Sequence, residues 1–349
     1  DVVTAAGTHI YAWDASGQLL PGFPISEDLS LCGPDHESQP LVHPKCGFLA
    51  TPALGHLEGP DKPLDIVASS LDGHLYAWRA DGTPLPGFPV ALVDPSLPPS
   101  QQMIAESINS PAIGDLNGDG KDDVVVATNE AYGALSPDQS DLPGLFQRAL
   151  TDIEAKAIGG SSRMYAVDGA TGKYLPGWPI KLNSALPTAL PLVGPGNDAE
   201  LAKIDGQETV IASTAAGDLS EYAPDGTLIR TMQQDQFGPA SNVTDRTGEL
   251  NLFESSAVGD VLGTGRLSVV KYGLTLGQLA NLAAPGQNFP YNHTIGAYDA
   301  GTGQPLPAWP TITDDYQFLS SSTIAKVDPT LPDNQVLAGT GLGLLHAYD

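Results

Sequence analysis

The segment at residues 115–123 combines oxygen-bearing side chains and glycines in a spacing suited to a metal ion. Four such side chains stand at offsets 0, 2, 4 and 8, namely Asp115, Asn117, Asp119 and Asp123, and glycines stand at offsets 3 and 5. Calcium takes about six to eight oxygen ligands in a flexible arrangement, and glycine lets the chain curl around the ion. The spacing therefore predicts a calcium site formed by these four side chains and the backbone carbonyl of Lys121.

The residues around this segment favour a β-hairpin over a helical calcium motif. A β-branched run at 124–126 follows at once, and Val126 stands where an EF-hand loop would have its last glutamate. Comparable turns near His56 and Asp260 have lost part of the ligand set. We therefore expect one metal site with a structural role, and the alternative is a solvated acidic turn without a metal.

The two cysteines, Cys32 and Cys46, bracket a segment that contains prolines and lacks apolar periodicity. A disulfide closing this loop is the interpretation we favour, and it would stabilise the fold by about 3 kcal/mol in the chain-entropy model. It would also indicate an oxidising compartment. The alternative is a metal site built from Cys32, His36, His43 and Cys46, whose spacing differs from the usual paired-cysteine zinc patterns.

The sequence contains no recognisable catalytic motif. It has no Gly-x-Ser-x-Gly, no His-Glu-x-x-His and no phosphate-binding loop. Three histidines, His9, His74 and His346, occupy nearly equivalent places before repeated strands, so repetition explains them better than catalysis. Nothing singles out a pair of carboxylates for polysaccharide cleavage. We therefore expect no enzymatic activity and assign no catalytic residue.

The charge balance excludes several classes of partner. Lys and Arg number 15 against 41 Asp and Glu, which gives a formal charge of −26. Such a surface repels phosphate backbones and anionic membranes, so we expect no nucleic-acid partner. No apolar stretch reaches the roughly 18 residues of a transmembrane helix, so we also expect no membrane span.

Two sequence phrases alternate along the chain. The first is Tyr-Ala-Trp or a variant, an Asp-Gly type turn and Leu-Pro-Gly-Phe-Pro; its copies begin at residues 10, 75, 164, 219 and 295, with a partial copy at 344. The second is Ser/Thr-Pro-Ala-x-Gly, an acidic turn and an apolar strand. Together they predict units of four short antiparallel strands, with the proline-containing strand at a sheet edge. The units differ in length, which favours a β-propeller over a solenoid.

The acidic segment and the repeated phrases resemble a known family. The segment at 110–126 and the repeated Tyr-Ala-Trp and Pro-Gly-Phe-Pro phrases resemble FG-GAP (VCBS-type) repeats, the blades of integrin-alpha-like β-propellers. The resemblance implies calcium in the blade hairpins and an extracellular, cell-surface or periplasmic location. It also implies a role in binding or scaffolding, although such blades occur beside enzymes as well.

We predict an all-β chain that forms a single β-propeller domain over residues 1–349, with about six four-stranded blades. Seven blades, or a fragment of a longer propeller, are alternatives, and we favour a piece of a longer protein because neither terminal unit is complete. The predicted blades are approximately 1–30, 48–92, 107–181, 186–232, 251–311 and 318–349. Insertions at 129–161 and 273–293 contain stretches with helical spacing at 142–157 and 275–282, and both should emerge on one face of the disc.

The functional prediction follows from this architecture. We expect an extracellular, calcium-stabilised propeller that acts as a binding, adhesion or scaffold module in a cell-surface or secreted assembly. Its partner would be a protein or a glycan at one face of the disc, and the chain could be one subunit of a larger surface complex. The alternative is the non-catalytic propeller part of a secreted polysaccharide-degrading or quinoprotein-like enzyme.

Overall fold

The computed structural model describes residues 1–32, 46–98, 107, 109–132, 159–182, 198–213, 219–233, 249–250, 255–275, 286, 293–314 and 321–349. Every regular element in these ranges is a β-strand, which confirms the all-β prediction. The described residues contain no helix that is long and apolar enough to span a membrane. The helical stretch predicted at 142–157 lies outside these ranges, as do residues 276–282 of the stretch predicted at 275–282.

The strands form six sheets of consecutive antiparallel strands. The first contains β1 (Val2–Ala6), β2 (His9–Trp13) and β3 (Ile25–Ser26), and the second contains β4 (Ala53–Gly55), β5 (Asp65–Ser69), β6 (His74–Trp78) and β7 (Val90–Ala91). The third contains β8 (Ala112–Gly114), β9 (Asp123–Tyr132), β10 (Gly159–Asp168), β11 (Lys173–Tyr174) and β12 (Ile180–Leu182). The fourth contains β13 (Asp198–Ile204), β14 (Gln207–Ser213), β15 (Leu219–Tyr222) and β16 (Leu228–Gln233). The fifth contains β17 (Glu249–Leu250), β18 (Ala257–Gly259), β19 (Ser268–Thr275), β20 (His293–Asp299) and β21 (Thr311–Thr313), and the sixth contains β22 (Thr323–Ala325), β23 (Gln335–Gly339) and β24 (Leu345–Tyr348).

Four of the six sheets have three or five strands where four were predicted. The third and fifth have five because one strand is split: β11 and β12 both pair with β10, and β17 and β18 both pair with β19. The first and sixth sheets have three strands each. In the third sheet the split falls at the Leu-Pro-Gly-Trp-Pro phrase, where prolines remove ladder donors.

The last short strand of three sheets lies at a sheet edge, the position predicted for the proline-containing strand. Strands β3, β7 and β21 are each last in the order of their sheets. The Pro-Gly-aromatic-Pro phrase itself forms a turn, and the strand begins just after it, for example at Ile25 and Val90. The prediction that this phrase is itself a strand was wrong, because its prolines cannot donate to a ladder.

The predicted insertions are shorter than expected. Strand β9 continues to Tyr132 and β10 begins at Gly159, so both strands extend into the range predicted as insertion 129–161. Strand β19 likewise ends at Thr275 and β20 begins at His293, within the predicted insertion 273–293. Thr275 therefore ends a strand and does not start a helix.

Strand register corrects the alignment of the repeats. Trp78 pairs with Ile66, and the equivalent pairing in the fourth sheet joins Tyr222 to Val210. Tyr222 is therefore equivalent to Trp78, two residues beyond Tyr76, although matching the two phrases by their tyrosines would align Tyr222 with Tyr76. Residues two apart share one face of a strand, so the aromatic face is kept although the phrase is shifted.

The core consists of apolar clusters between successive sheets. Five clusters join the first sheet to the second and so on to the sixth, and each contains side chains from two neighbouring sheets. Representative pairs across the five interfaces are Ile10 and Trp78, Leu75 and Tyr165, Met164 and Val210, Leu219 and Tyr298, and Ile295 and Val336. In the described part of the chain no cluster joins the sixth sheet to the first.

The repeated aromatic of the Pro-Gly-Phe-Pro phrase packs between sheets. Phe23, Trp178 and Trp309 are all buried and belong to clusters that join two sheets. The indole nitrogen of Trp178 donates a hydrogen bond to the carbonyl of Pro224 in the next sheet. These aromatics are therefore core residues and are not available as ligand-binding tips.

The glycine of the same phrase is required by the neighbouring sheet. Gly177 has a φ of 88°, and a β-carbon placed there would lie 1.9 Å from the carbonyl oxygen of Asp225 in the next turn. Gly87 shows the same relation to Thr171, at 2.2 Å. The fifth copy has Ala308, also with a positive φ, of 68°. Glycine is thus needed where the following turn packs on the phrase.

Glu221 breaks the repeat inside the core. It pairs with Ile211 as Ala77 pairs with Val67, so it occupies a position where other repeats have alanine. It is 1% exposed; its Oε2 lies 3.1 Å from Nε of Arg230, and its Oε1 has no hydrogen-bond partner among the described residues. Burial raises the pKa of Glu221 to about 7, against the lowering effect of Arg230.

We predict that Gly177→Ala destabilises the protein by about 2 kcal/mol or more. Alanine must adopt the left-handed conformation, and its β-carbon would meet the Asp225 carbonyl. Urea unfolding measures the change. Ala308→Gly is the matched control, because it changes the same position of the fifth copy in the opposite direction and should not destabilise the protein. Equal stability of Gly177→Ala and the native chain would refute the close approach.

We predict that Glu221 makes the protein less stable at alkaline pH than at acidic pH. The folded-state pKa of about 7 lies above the ordinary value of 4.5, so its contribution is fully present below 4.5 and is lost as the pH rises through 7. Glu221→Gln cannot ionise. Urea unfolding at pH 5 and pH 8 should show a smaller loss of stability in this variant than in the native chain. The same loss in both would contradict the prediction.

Candidate metal-binding site

The segment at 115–123 forms the turn between β8 and β9. Gly114 pairs with Asp123 at the base of the hairpin, and the β-branched run that follows lies in β9. Gly118 and Gly120 have φ angles of 77° and 83°, which is the left-handed region that glycine adopts without strain. The structure therefore confirms a hairpin turn at the position of the predicted loop.

Backbone donors hold the side chains of the turn. The carboxylate of Asp115 accepts hydrogen bonds from the N–H groups of Asp119 and Gly120, both at 3.0 Å. Oδ1 of Asn117 accepts from the N–H of Asp119 at 2.9 Å, and Oδ1 of Asp119 accepts from the N–H of Lys121 at 2.9 Å. Carboxylate and amide oxygens retain a further lone pair in this arrangement, so they can still bind a cation.

Asp123 is the buried member of the set. It is 1% exposed, and its Oδ2 accepts from the N–H groups of Leu116 and Asn117, both at 3.0 Å. Burial raises the pKa of Asp123 to about 6, and the nearby charge of Asp168 adds to the rise, against the lowering effect of the backbone donors. A carboxyl group is thus buried beside other acidic groups.

The turn has many carboxylates and no protein cation paired with them. Asp115, Asp119 and Asp123 belong to the turn, and Asp122 and Asp168 lie beside it. No lysine or arginine forms an ion pair with any of these five in the part of the chain that the structure describes.

The carboxylates of the turn do not form a compact set of three ligand atoms among the described residues. A set of three ligand atoms within 4.8 Å of one another is found, in the described ranges, for Glu27, Cys32 and Cys46 but not for the turn. The oxygens of the turn point to backbone N–H groups instead. Like charges repel, and a divalent cation would turn that repulsion into attraction.

The equivalent turn of the second sheet contains a protein cation. Gly55 pairs with Asp65 as Gly114 pairs with Asp123, and the buried Asp65 accepts from the N–H of Glu58 at 3.3 Å. Arg79 donates from Nε and Nη2 to the two carboxylate oxygens of Glu58, both at 2.8 Å. The guanidinium group therefore neutralises this turn.

The acidic groups at the equivalent turn of the fifth sheet have other partners. The carboxylate of Asp260 accepts from the N–H groups of Thr264 and Gly265, in the pattern seen at Asp115. Ser268 occupies the last position of this turn, and Arg266 donates from Nη2 to Asp299 at 2.9 Å. Asp299, which corresponds to Asp168 of the third sheet, therefore has a protein cation, and no such pair is found for Asp260 among the described residues.

The residues of the third turn fit a hard divalent cation. All the available donors are oxygens, and calcium prefers oxygen ligands. Arginines form ion pairs with carboxylates in the second and fifth sheets, whereas no lysine or arginine pairs with the carboxylates of the third turn among the described residues. The residues that could hold the ion are those named from the sequence: Asp115, Asn117, Asp119, Asp123 and the carbonyl of Lys121.

The turn is bonded to the neighbouring sheet. Oδ2 of Asp122 accepts from the N–H of His56 at 2.7 Å, and the N–H of Asp122 donates to the carbonyl of His56 at 3.1 Å. A β-carbon at Gly169 would lie 2.2 Å from the carbonyl oxygen of Asp122 and 2.6 Å from Leu57, so glycine is required there. The third turn is therefore held against the second sheet by these two hydrogen bonds and by close packing at Gly169.

The structure contains the predicted disulfide between Cys32 and Cys46, with 5.6 Å between the Cα atoms. The alternative metal site also needed His36 and His43, which lie outside the described residues. The disulfide ends beside the N–H of Gly47, which donates to Oε2 of Glu27 at 2.8 Å.

Glu27 is a buried residue that sequence reasoning missed. Its other carboxylate oxygen accepts from the hydroxyl of Ser70 in the second sheet, and burial raises its pKa to about 6. The repeats contained a signal for it, since Leu92 and Leu182 occupy the equivalent position after the edge strand. A glutamate at a position where other repeats have leucine indicates a hydrogen bond between neighbouring sheets.

The histidines do not converge on one site. His9 lies in the first sheet, His74 in the second and His346 in the sixth. His74 lies 3.3 Å from Asp72, and His346 lies 2.9 Å from Asp314. His74 and His346 are therefore each paired with a nearby aspartate.

A comparison with protein families finds an FG-GAP repeat at residues 108–139. This range contains β8, the whole acidic turn and β9. A search of the curated proteins found no match.

Several solved structures show distant similarity. The quinohemoprotein alcohol dehydrogenase ADHIIG from Pseudomonas putida HK5 is 14% identical, with a TM-score of 0.48, over 99% of this chain and 55% of that chain. The rhamnogalacturonan lyase YesW is 13% identical, with a TM-score of 0.39, over 98% of this chain and 60% of that chain. The Pseudomonas aeruginosa PilY1 C-terminal domain is 12% identical, with a TM-score of 0.43, over 100% of this chain and 66% of that chain. These TM-scores are too low to support an argument about this chain, which spans little more than half the length of the first of these proteins.

The family match falls on the third sheet, which carries the full acidic turn. The second sheet has the same strand pairing around its own turn, and the fifth and sixth sheets repeat it. The chain therefore contains one FG-GAP repeat, in its third sheet, and three further sheets repeat the strand pairing of its hairpin.

Proposed function

We propose that this protein is a calcium-stabilised binding or scaffold module. The observation that carries the calcium assignment is the turn of the third sheet, where no lysine or arginine among the described residues pairs with the acidic groups, which include the buried Asp123, whereas arginines form ion pairs in the second and fifth sheets. Asp115, Asn117, Asp119 and Asp123 would hold the ion, together with the carbonyl of Lys121. The bound ion supplies positive charge and fixed oxygen coordination, and it takes part in no reaction.

The role of the ion is to order the hairpin and its neighbour. With the carboxylates neutralised, the turn keeps the backbone bonds that Asp115 and Asp123 accept. Asp122 then holds the backbone of His56 in the second sheet. Calcium would therefore stabilise the interface between the second and third sheets as well as one turn.

The other end of the sheets is the proposed partner surface. The connection from β9 to β10 and that from β19 to β20 each join the second and third strands of their units, so they leave the same end of the sheets. The metal turn joins β8 to β9 and lies at the opposite end. A rigid set of sheets can present such connections to a protein or a glycan.

The setting that suits this function is extracellular, at the cell surface or periplasmic. A disulfide persists in oxidising compartments, and the strongly acidic surface suits a medium rich in cations. Calcium at millimolar concentration in such a medium would occupy even a weak site. The module would then be one subunit of a larger surface or secreted assembly.

We predict that calcium raises the melting temperature and that a chelator lowers it. A ligand present at one hundred times its dissociation constant stabilises the folded state by about 2.7 kcal/mol. Asp119→Asn should remove most of the calcium-dependent difference. Asp225→Asn is the control, because Asp225 lies in a turn of the fourth sheet and, among the described residues, its carboxylate accepts a hydrogen bond from the N–H of Thr227. A native chain that melts at the same temperature with and without calcium would refute the site.

We predict that the protein retains a specific partner from its native source in the presence of calcium. The immobilised chain should recover one protein or glycan in constant proportion, and a chelator or Asp119→Asn should reduce the recovery. Asp225→Asn should recover as much as the native chain. A chain that recovers nothing and cleaves polysaccharide by itself would contradict the scaffold proposal.

A further inference from the structure

The first turn of the sixth sheet contains a lysine where the third has its first metal ligand. Ala325 pairs with Gln335 at the base of this hairpin, as Gly114 pairs with Asp123. The residue after Ala325 is Lys326, which therefore occupies the position of Asp115. A cationic side chain has replaced an anionic one at the start of the same turn.

The ammonium group of Lys326 is bound by the backbone of its own turn. Nζ donates to the carbonyl oxygens of Leu331, Pro332 and Asp333, and the last two distances are 3.0 Å and 2.9 Å. All three ammonium donors are therefore used. The chain curls around a positive charge and points its carbonyl dipoles at it, as it would around a metal ion.

The carbonyl groups involved match the predicted calcium ligand. Lys121, whose carbonyl is the expected ligand of the third turn, stands six residues after Asp115, and Pro332 stands six residues after Lys326. The sixth turn is one residue longer, and counting back from its last residue gives Asp333 instead. Both carbonyls accept from the ammonium group.

Gln335 occupies the last position of the sixth turn, where the third turn has Asp123. Oε1 of Gln335 accepts from the N–H groups of Val327 and Asp328 at 3.0 Å and 2.9 Å. Oδ2 of Asp123 does the same for the two N–H groups at the start of the third turn. The amide preserves the hydrogen bonds without the negative charge, so the turn needs only the single charge of the lysine.

We propose that the ammonium group of Lys326 is a built-in cation that takes the place of the metal ion in the sixth sheet. The turn is then a copy of the calcium turn that is always occupied and independent of metal. The comparison with calcium rests on the proposed function of the third turn. The contacts of Lys326 stand independently of it.

The built-in cation also supports an interface between sheets. The N–H of Asn334 donates to the carbonyl of Val261 at 2.9 Å, and its side-chain amide donates to the carbonyl of Asp260. Asn334 thus ties the sixth turn to the fifth, as Asp122 ties the third turn to the second. The ammonium group of Lys326 therefore orders the interface between the fifth and sixth sheets at any calcium concentration.

The first test removes the charge. Lys326→Met should lower the melting temperature by about 2–4 °C, equally with calcium and with a chelator. Lys203→Met is the control, because Lys203 is an exposed lysine on β13, and it should melt with the native chain. Equal melting temperatures for Lys326→Met and Lys203→Met would overturn the proposal.

The second test replaces the built-in cation by a metal ligand. Asp328 and Thr330 stand two and four residues after position 326, the offsets of Asn117 and Asp119 from the first ligand of the third turn. Lys326→Asp should be less stable than the native chain in a chelator and should regain the loss on addition of calcium. A purely steric role for the lysine would give no calcium response, and that result would overturn the proposal.

The two proposals fail in different experiments. If the native chain shows no calcium response but Lys326→Met is destabilised, the third turn is not a calcium site and the built-in cation stands. If the native chain responds to calcium and Lys326→Met melts with the control, the calcium site stands and the built-in cation is wrong.

Discussion

A side-chain acceptor, buried at the last position of the first turn of a sheet, is the interaction on which the rest of the architecture depends. Asp65, Asp123 and Gln335 occupy this position in three sheets, and each accepts hydrogen bonds from backbone N–H groups at the start of its turn. The bonds close the hairpin and fix where the second strand begins. Because buried N–H groups need partners, the acceptor is required even where the negative charge is not.

The acceptor creates an electrostatic problem that each sheet solves differently. A buried carboxylate needs a cation or a proton. In the second sheet burial raises the pKa of Asp65, and the charge of Arg79, which pairs with Glu58 of the same turn, acts to lower it. The sixth sheet combines a neutral Gln335 with Lys326. In the third sheet, the described residues supply none, which is why we propose an ion from solution. The loss of the metal pattern in the other turns is therefore a replacement of one cation by another.

The sequence was sufficient for some features and insufficient for others, for physical reasons. Acidic and glycine spacing at 115–123 predicted the turn, and alternation predicted the strands, because both signals are local. The shift of Tyr222 relative to Tyr76 was hidden because residues two apart share one strand face. Lys326 was missed because a lysine does not look like a metal ligand until pairing places it beside the carbonyls of residues 331–333.

The central claim is that this set of sheets needs one ion from solution and carries its other turn cations covalently. Equilibrium dialysis with radioactive calcium, at physiological ionic strength, measures the number of ions bound by each chain. The account predicts one bound ion for the native chain and none for Asp119→Asn. Two or more tightly bound ions, or none in the native chain, would contradict it.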